Sequence, residues 1–365
     1  MRHLTENQSL LFKACFLNDG DYYFRLWQEK YTITNLDYYT RALLPLLLNS
    51  VATDTLAPKL ARQMMFYRHQ TWLFNTLKFH QLKIILDDFN ALGIECCLLK
   101  GAAMMLYYYD DVSQRPERSD IDLFIKMDDI PKAMAVLTKQ GFAAQNSSLW
   151  TPNRLENSIL QGGVVLDVLH AIHYRKDKLV IDLHWEICAF IKKTGFNALK
   201  PSMQCHSHKL SNTLFCMSHE MQLIHIAIHA AFNDHFSPSL VNGIDFCFLI
   251  NKQPDFKKLA LLSSEHGALG YVMQMMKVYK SYIKDNIYQE YERVFPTHEL
   301  ASYYVASWLF SSSLIQRRMG QIFCLLQVNR YNPFTLINHM KNYLGASTWR
   351  QFFRLIRSRF LTIGK

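Results

Sequence analysis

Among the 365 residues there is no apolar run near the ~20 that a membrane-spanning helix needs. The strongest candidate, Ala42 to Leu48, is short and interrupted by Pro45. Met1 to Asn18 carries Glu6 and Lys13 and lacks the long apolar segment of a secretory leader. The expectation is therefore a soluble, cytoplasmic chain, with export as an effector the other option. No pair of the eight cysteines has CxxC spacing, which removes the commonest zinc and thiol-redox signatures. Several of these cysteines lie in apolar runs, where a free thiol behaves as a small hydrophobe, and a reducing compartment follows. A G-x-S-x-G elbow and a G-x-G-x-x-G turn are both missing, so neither a serine hydrolase nor a dinucleotide-binding enzyme has support. His225 and His229 are spaced like zinc-protease ligands, but Ile226 stands where the general-base glutamate would be. Two packed histidines are the better reading there.

Half of the chain is apolar and 13% is aromatic, enough for a large core and against wholesale disorder. The formal charge of +10 suits a polyanionic partner or a solvated basic surface. The first ~90 residues pattern mostly as helix. Leu82, Ile85, Phe89 and Leu92 recur at helical spacing before Gly93, a natural C-cap. Ile94 to Leu99 then reads as a buried strand, with Cys96 and Cys97 on opposite faces, and Ala102 to Tyr109 as a helix. Asp120 to Lys126 alternates as a strand should, and a helix with Pro131 in its first turn closes at Gly141. Two extended stretches, Val164 to His173 and Leu179 to Ile187, flank the charged turn Arg175 to Lys178. From Ser211 onward the pattern is read as helical to the end. The fold class is α+β: a small mixed-sheet core at 76–205, a helical segment at 1–75 before it and a helical domain at 206–365 after it.

The chemistry is concentrated in Ser119-Asp120-Ile121-Asp122-Leu123-Phe124-Ile125. Side chains alternate along a strand, so Asp120 and Asp122 share one face while Ile121, Leu123 and Ile125 share the other. Two neighbouring carboxylates repel unless a cation lies between them, and Mg2+ prefers such oxygens together with substrate phosphates. Ile181-Asp182-Leu183-His184-Trp185 repeats the pattern, with Asp182, His184 and Glu186 on one face. If the two strands are neighbours, three carboxylates can hold a two-metal site for in-line phosphoryl transfer. Solvated acids on an edge strand are the other reading. Upstream, Lys100-Gly101-Ala102 is a strand-to-helix turn whose free N–H groups and ammonium suit phosphate. His184 suits a nucleotide contact, a proton shuttle or a structural hydrogen bond. Asp167 and His170 lie on the preceding strand; Asp167 reads as a solvent-facing acid, with the same cleft as its other option, and Asp245 as a helix cap or brace.

Taken in order, these motifs resemble the polymerase-β-like nucleotidyltransferases. More closely, LLKGAA (98–103), RSDIDLFI (118–125), Gly141-Phe142, IDLHWEI (181–187), LIHIAIHAAF (223–232) and GIDFCFLI (243–250) resemble the bacterial uncharacterised nucleotidyltransferase family. The likeness spans roughly residues 80 to 285. It implies Asp120, Asp122 and Asp182 as metal ligands, with Asp182 also the base near the acceptor. It implies triphosphate contacts at Lys100, Gly101 and Ala102, with Arg118, Ser119 and His184 lining the nucleotide. An arginine is expected shortly before the paired acids, and both Arg115 and Arg118 qualify. The wider superfamily has serine or a second glycine where this chain has Ala102, which removes a phosphate-holding hydroxyl.

The implied activity moves a nucleoside monophosphate from an NTP, with ATP first in line, to a hydroxyl on a small molecule, protein or RNA, using Mg2+ or Mn2+. Segment order puts the acceptor cleft between the core and the C-terminal helices. The alternative is an inert relative that uses its basic surface to bind nucleic acid or protein. Trp349 to Arg359 interleaves arginines with apolar residues and suits an anionic surface, or a terminal helix docked on the body.

Overall fold

A computed structural model of the chain describes residues 4–52, 56–116, 120–145, 171–187, 195–208, 210–232 and 240–295. Asp167, His170 and the basic segment Trp349 to Arg359 lie outside the described residues, as do Arg118 and Ser119.

The N-terminal part is helical, as its periodicity predicts. Helix α1 (Glu6–Phe16) starts with a reciprocal cap in which the Thr5 hydroxyl accepts from the Gln8 N–H and the Gln8 side chain accepts from the Thr5 N–H. That closes two of the donors a helix start leaves open. Helix α2 (Gly20–Lys30) packs on α1, and two four-residue helical turns lead to α3 (Pro58–Ala91). Proline in the first turn of α3 sacrifices no helical hydrogen bond. Leu82, Ile85 and Phe89 are buried at its far end, and Gly93 takes the left-handed conformation (φ +68°) that turns the chain into the sheet. Leu92 departs from the predicted stripe. It is the cap residue, already off the helix, and stands 50% exposed.

Seven strands form one mixed sheet: β1 (Cys96–Leu98), β2 (Asp120–Ile125), β3 (Ala143–Ala144), β4 (Ala171–Lys176), β5 (Leu179–His184), β6 (Met203–His208) and β7 (Ser211–Met217). Their order is β3-β4-β5-β2-β1-β7-β6. The pairs β2–β5 and β1–β7 are parallel, and the other neighbours antiparallel. Helix α4 (Lys100–Tyr107) follows β1, and α5 (Ile130–Lys139) follows β2. Among the described residues, five more helices come after the sheet: α6 (His219–Phe232), α7 (Leu240–Ile250), α8 (Phe256–Glu265), α9 (Leu269–Tyr279) and α10 (Asp285–Val294).

One expectation fails between 203 and 217. The stretch from Ser211 reads as helix in the sequence, yet Ser211–Met217 is a strand that pairs with β1 through Leu214, Phe215 and Cys216. Leu214 and Cys216 join one core while Met217 joins the other, the period-two pattern of a strand with both faces covered. A seven-residue run of that kind is easily absorbed into the strongly apolar helix α6 that follows. The sheet thus continues to Met217, past the expected core boundary at 205.

The sheet separates two apolar cores. On one side Ile121, Leu123, Ile125, Ile181 and Leu183 meet α3 and α5. On the other, Cys97 and Phe124 meet a larger core built from both ends of the described chain. There the Phe12 ring lies 5.2 Å from the Tyr282 ring, and the Tyr282 hydroxyl donates to Ser9 at 3.1 Å. Cys96 and Cys97 fall in different cores, as strand alternation requires. Among the described residues no helix is long and apolar enough to cross a membrane.

Burial separates two leucines that the sequence pattern groups as apolar. Leu123→Ala opens a cavity in the core and should cost about 2–5 kcal/mol, whereas Leu92→Ala should stay within about 0.5 kcal/mol. Urea unfolding of the two variants beside the parent measures both.

Candidate functional site

The site follows from strand register. In the parallel β2–β5 pair, Asp122 stands opposite Asp182, and Phe124 opposite His184. Beyond β5, antiparallel β4 sets His173 opposite Asp182. Cross-strand partners share a face, so His173, Asp182 and Asp122 form one row across three strands. Ile121, Leu123, Ile181 and Leu183 point into the core behind it.

The two acids and His184 are nearly dry, while His173 at the end of the row is exposed. Asp122 is 3% exposed, Asp182 8% and His184 2%. One ligand atom from each of these three lies within 4.8 Å of those of the other two, a spacing that a single divalent cation can bridge. Asp120, the first residue of β2, is half-buried and stands outside this group of three. The tight group is therefore Asp122, Asp182 and His184, and Asp120 of the expected metal set stands apart from it. The cause is depth: His184 lies along β5 toward the interior, and Asp120 at the strand's entrance.

Each acid has an imidazole beside it. His184 Nε2 lies 3.0 Å from Asp122 Oδ1, and His173 Nδ1 lies 2.5 Å from Asp182 Oδ1. The hydrogen bond to Asp182 raises the His173 pKa against the opposing effect of burial. Sequence reading misses His173, although it alternates with the buried Ile172 and Tyr174 and so had to share a face with something polar.

A cation from the chain itself completes the arrangement. The Lys100 ammonium is paired with Asp122 Oδ1. Burial alone would raise the Asp122 carboxyl, but Lys100 and His184 outweigh it and hold the group well below the usual carboxylate range. Lys100 is itself raised: burial lowers it, and the charges of Asp122, Asp182 and Asp120 prevail. Its position is set by the backbone. The Leu99 N–H donates to the Asp122 carbonyl at 3.1 Å, and the next residue, Lys100, adopts φ +47°. That conformation costs a non-glycine residue about 1–2 kcal/mol, and here it aims an ammonium at the acids.

Gly101 has a different reason. A Cβ at this position would lie 2.2 Å from Arg115 Nη1, so the guanidinium fills the space that the glycine leaves. Arg115, one of the two candidate arginines, thus touches the turn; Arg118 lies outside the described residues. Its Nη2 donates to Asp245 Oδ2 at 2.9 Å and its Nε to Asp245 Oδ1 at 3.1 Å, both side chains being buried. The Tyr109 hydroxyl donates to the same carboxylate at 3.1 Å. Asp245, expected as a helix cap or brace, does brace: it links α7 to the Lys100-Gly101 turn through Arg115. The Ala102 methyl is packed in the core on the α3 side of the sheet, where a serine hydroxyl would be buried.

His225 on α6 is 1% exposed, and neither ring nitrogen has a hydrogen-bond partner among the described residues. Burial, reinforced by the nearby Lys100 charge, pushes its pKa down to about 3, so the ring is neutral. His229 lies 6.4 Å away, ring centre to centre, and its Nδ1 contacts the Asn242 side chain at 3.2 Å. Neither histidine belongs to a three-ligand group among the described residues.

With this geometry in place, the model of a family described as uncharacterised nucleotidyltransferase matches residues 39–283. That is most of the chain, and the chain belongs to this family. No curated protein matches it.

Two outcomes follow. Asp245→Ala leaves the Arg115 charge buried and unpaired, and should cost about 3–5 kcal/mol in chemical denaturation. His225 acts through pH. Its folded pKa is depressed from 6.5 to about 3, so between those values the unfolded chain takes up a proton that the folded chain refuses. Stability is lost as pH falls through that window, by up to about 1.4 kcal/mol per pH unit. His225→Leu should remove this component, so its stability relative to the parent should rise from pH 7 to pH 4. Parallel stability curves for the two proteins would contradict the assignment.

Proposed function

We propose that this member of the family is a metal-dependent nucleotidyltransferase, moving a nucleoside monophosphate from an NTP to a hydroxyl-bearing acceptor with release of pyrophosphate. The observation that carries the reading is the in-register placement of Asp122 beside Asp182 on parallel strands, with His184 within ligand distance of both. Two buried carboxylates and an imidazole suit a divalent cation, and the imidazole makes Mn2+ a natural partner beside Mg2+. Asp122 and Asp182 would hold it, with His184 adjoining and Asp120 at the entrance serving a second ion. When bound, such ions supply positive charge to the triphosphate and the attacking oxygen.

The chain's own groups do the rest. Lys100 and the N–H groups at the start of α4 face the phosphates. Asp182 accepts the acceptor's proton as its oxygen bonds to the α-phosphorus; the bond from that phosphorus to the bridging oxygen breaks, and pyrophosphate leaves with the electron pair. His173 and His184 fix the two carboxylates, so that catalysis rests on positioning and electrostatics. ATP is the first NTP to test.

One observation favours a second reading, an inert binding module. Lys100 already neutralises Asp122 from within the chain, so the acids can persist together without a metal. The two readings separate in thermal-shift titrations with each of the four NTPs, with and without Mg2+ or Mn2+, comparing the parent with the Asp120→Ala/Asp122→Ala double variant. The transferase reading expects a metal-dependent rise in Tm that the variant loses. It also expects Asp122→Ala to lower transfer from α-labelled NTP by at least about a thousandfold. No shift with any NTP selects the binding module.

A further inference from the structure

Which ion the acids take depends on the third member of their group. Asp122 and Asp182 are cross-strand partners, and His184 follows Asp182 on the same face of β5. Strand register therefore delivers a nitrogen donor to the two carboxylates at ligand spacing. His184 Nε2 and Asp122 Oδ1 are 3.0 Å apart. Neighbouring ligands of an octahedral ion with bonds of about 2.1 Å stand about 3.0 Å apart, so this hydrogen bond spans the same gap as one edge of a coordination shell.

Two properties of the group count against Mg2+. The first is the nitrogen. Mg2+ is a hard ion that takes oxygen ligands, whereas imidazole suits the first-row transition ions. The second is dryness. Asp122, Asp182 and His184 are all buried, so an ion seated among them sheds most of its water. Mg2+ dehydrates reluctantly and ordinarily keeps several waters. Lys100 does not discriminate, because its ammonium competes for Asp122 with any divalent ion alike.

A second imidazole stands at the same place. Helix α6 packs on α4, the helix that begins at Lys100, and it carries His225. The charges of Lys100, Asp122 and His184 all act on this ring, which is almost completely buried. Neither of its nitrogens has a hydrogen-bond partner among the described residues. A buried polar group in that condition calls for a partner from outside the chain. His225 lies outside the tight group of three, where it suits a hydrogen bond to a water or phosphate oxygen held by the ion.

We propose that His184 sets the metal specificity of this site: the position among Asp122, Asp182 and His184 takes a first-row transition ion in preference to Mg2+, and takes it without nucleotide. The assignment deepens the transferase reading above and rests on its metal site. It leaves Mg2+ to the second ion, at Asp120.

The probe is Co2+, titrated calorimetrically into the full chain without NTP, with its visible absorption followed in parallel. The expected result is one tightly bound Co2+ per chain, its affinity lowered no more than about threefold by about a hundredfold excess of Mg2+. His184→Asn keeps a donor toward Asp122 and removes the imidazole. It should lower the ratio of Co2+ to Mg2+ affinity at least about tenfold. Circular dichroism melts check that the variant folds; should it not, the parent's own ratio decides. Equal affinity of the parent for Co2+ and Mg2+ overturns the proposal, as does absence of Co2+ binding. An unchanged ratio in folded His184→Asn also overturns it, since the Co2+ would then sit elsewhere. Should no NTP raise the Tm with any metal, the transferase reading fails, whereas the Co2+ preference is measured without NTP and is decided separately.

Discussion

Two carboxylates facing each other across neighbouring strands, almost without water, is the constraint around which this molecule is arranged. Oxygens of Asp122 and Asp182 lie within 4.8 Å. At an effective dielectric near 20 their repulsion is about 3–4 kcal/mol, a large part of the stability of a typical domain. The chain offsets it locally. Lys100 places an ammonium on Asp122, His184 lies against the same oxygen, and His173 serves Asp182. An attraction of similar size at contact distance, with two further hydrogen bonds, offsets that repulsion. The left-handed backbone at Lys100 is a cost of the same design, since a residue with ordinary φ at that point would aim its side chain elsewhere.

That local balance depends on parts of the chain far away in sequence. The Lys100-Gly101 turn is seated on Arg115, which is gripped by Asp245 from α7 and supported from behind by α3, where the Asn75 amide donates to the Arg115 carbonyl at 3.2 Å. A buried ion pair contributes little net stability compared with apolar packing, but it is costly to break and tolerates only one geometry. Placed here, it fixes the height of the turn over the acids. The helices after the sheet are thus part of the site's frame, even though none of their residues belongs to the carboxylate row.

How much of this the sequence discloses depends on the range of each interaction. Alternation within six residues is local, so the faces of Asp120–Ile125 and of Asp182 and His184 are legible from the order of residues alone, as is the split of Cys96 from Cys97. Register between strands is not local. It brings His173 beside Asp182 and sets Asp120 apart from the tight group, and no spacing in the chain announces either result. Strand β7 is hidden for another reason. With both faces buried it has no polar alternation, and it runs into an apolar helix after one residue. Gly101 is legible as a special position but not for its cause, because the group that forbids a side chain there is an arginine fourteen residues on.

The pairing of Lys100 with Asp122 also bears on how the site must work. An ammonium held in a carboxylate group is a fixed charge that a divalent cation cannot ignore. Bound beside it, the cation competes for Asp122, and the ammonium gains most by moving to the nearest new anion. Under the proposed function that anion would be the triphosphate at the start of α4, from which Lys100 itself projects. In that proposed transferase, metal and nucleotide would favour each other's binding, since each makes the rearrangement required by the other less costly. A site built in this way holds its acids in place by hydrogen bonds from within the chain, and under the proposed function it would need little reorganisation when a substrate complex arrives.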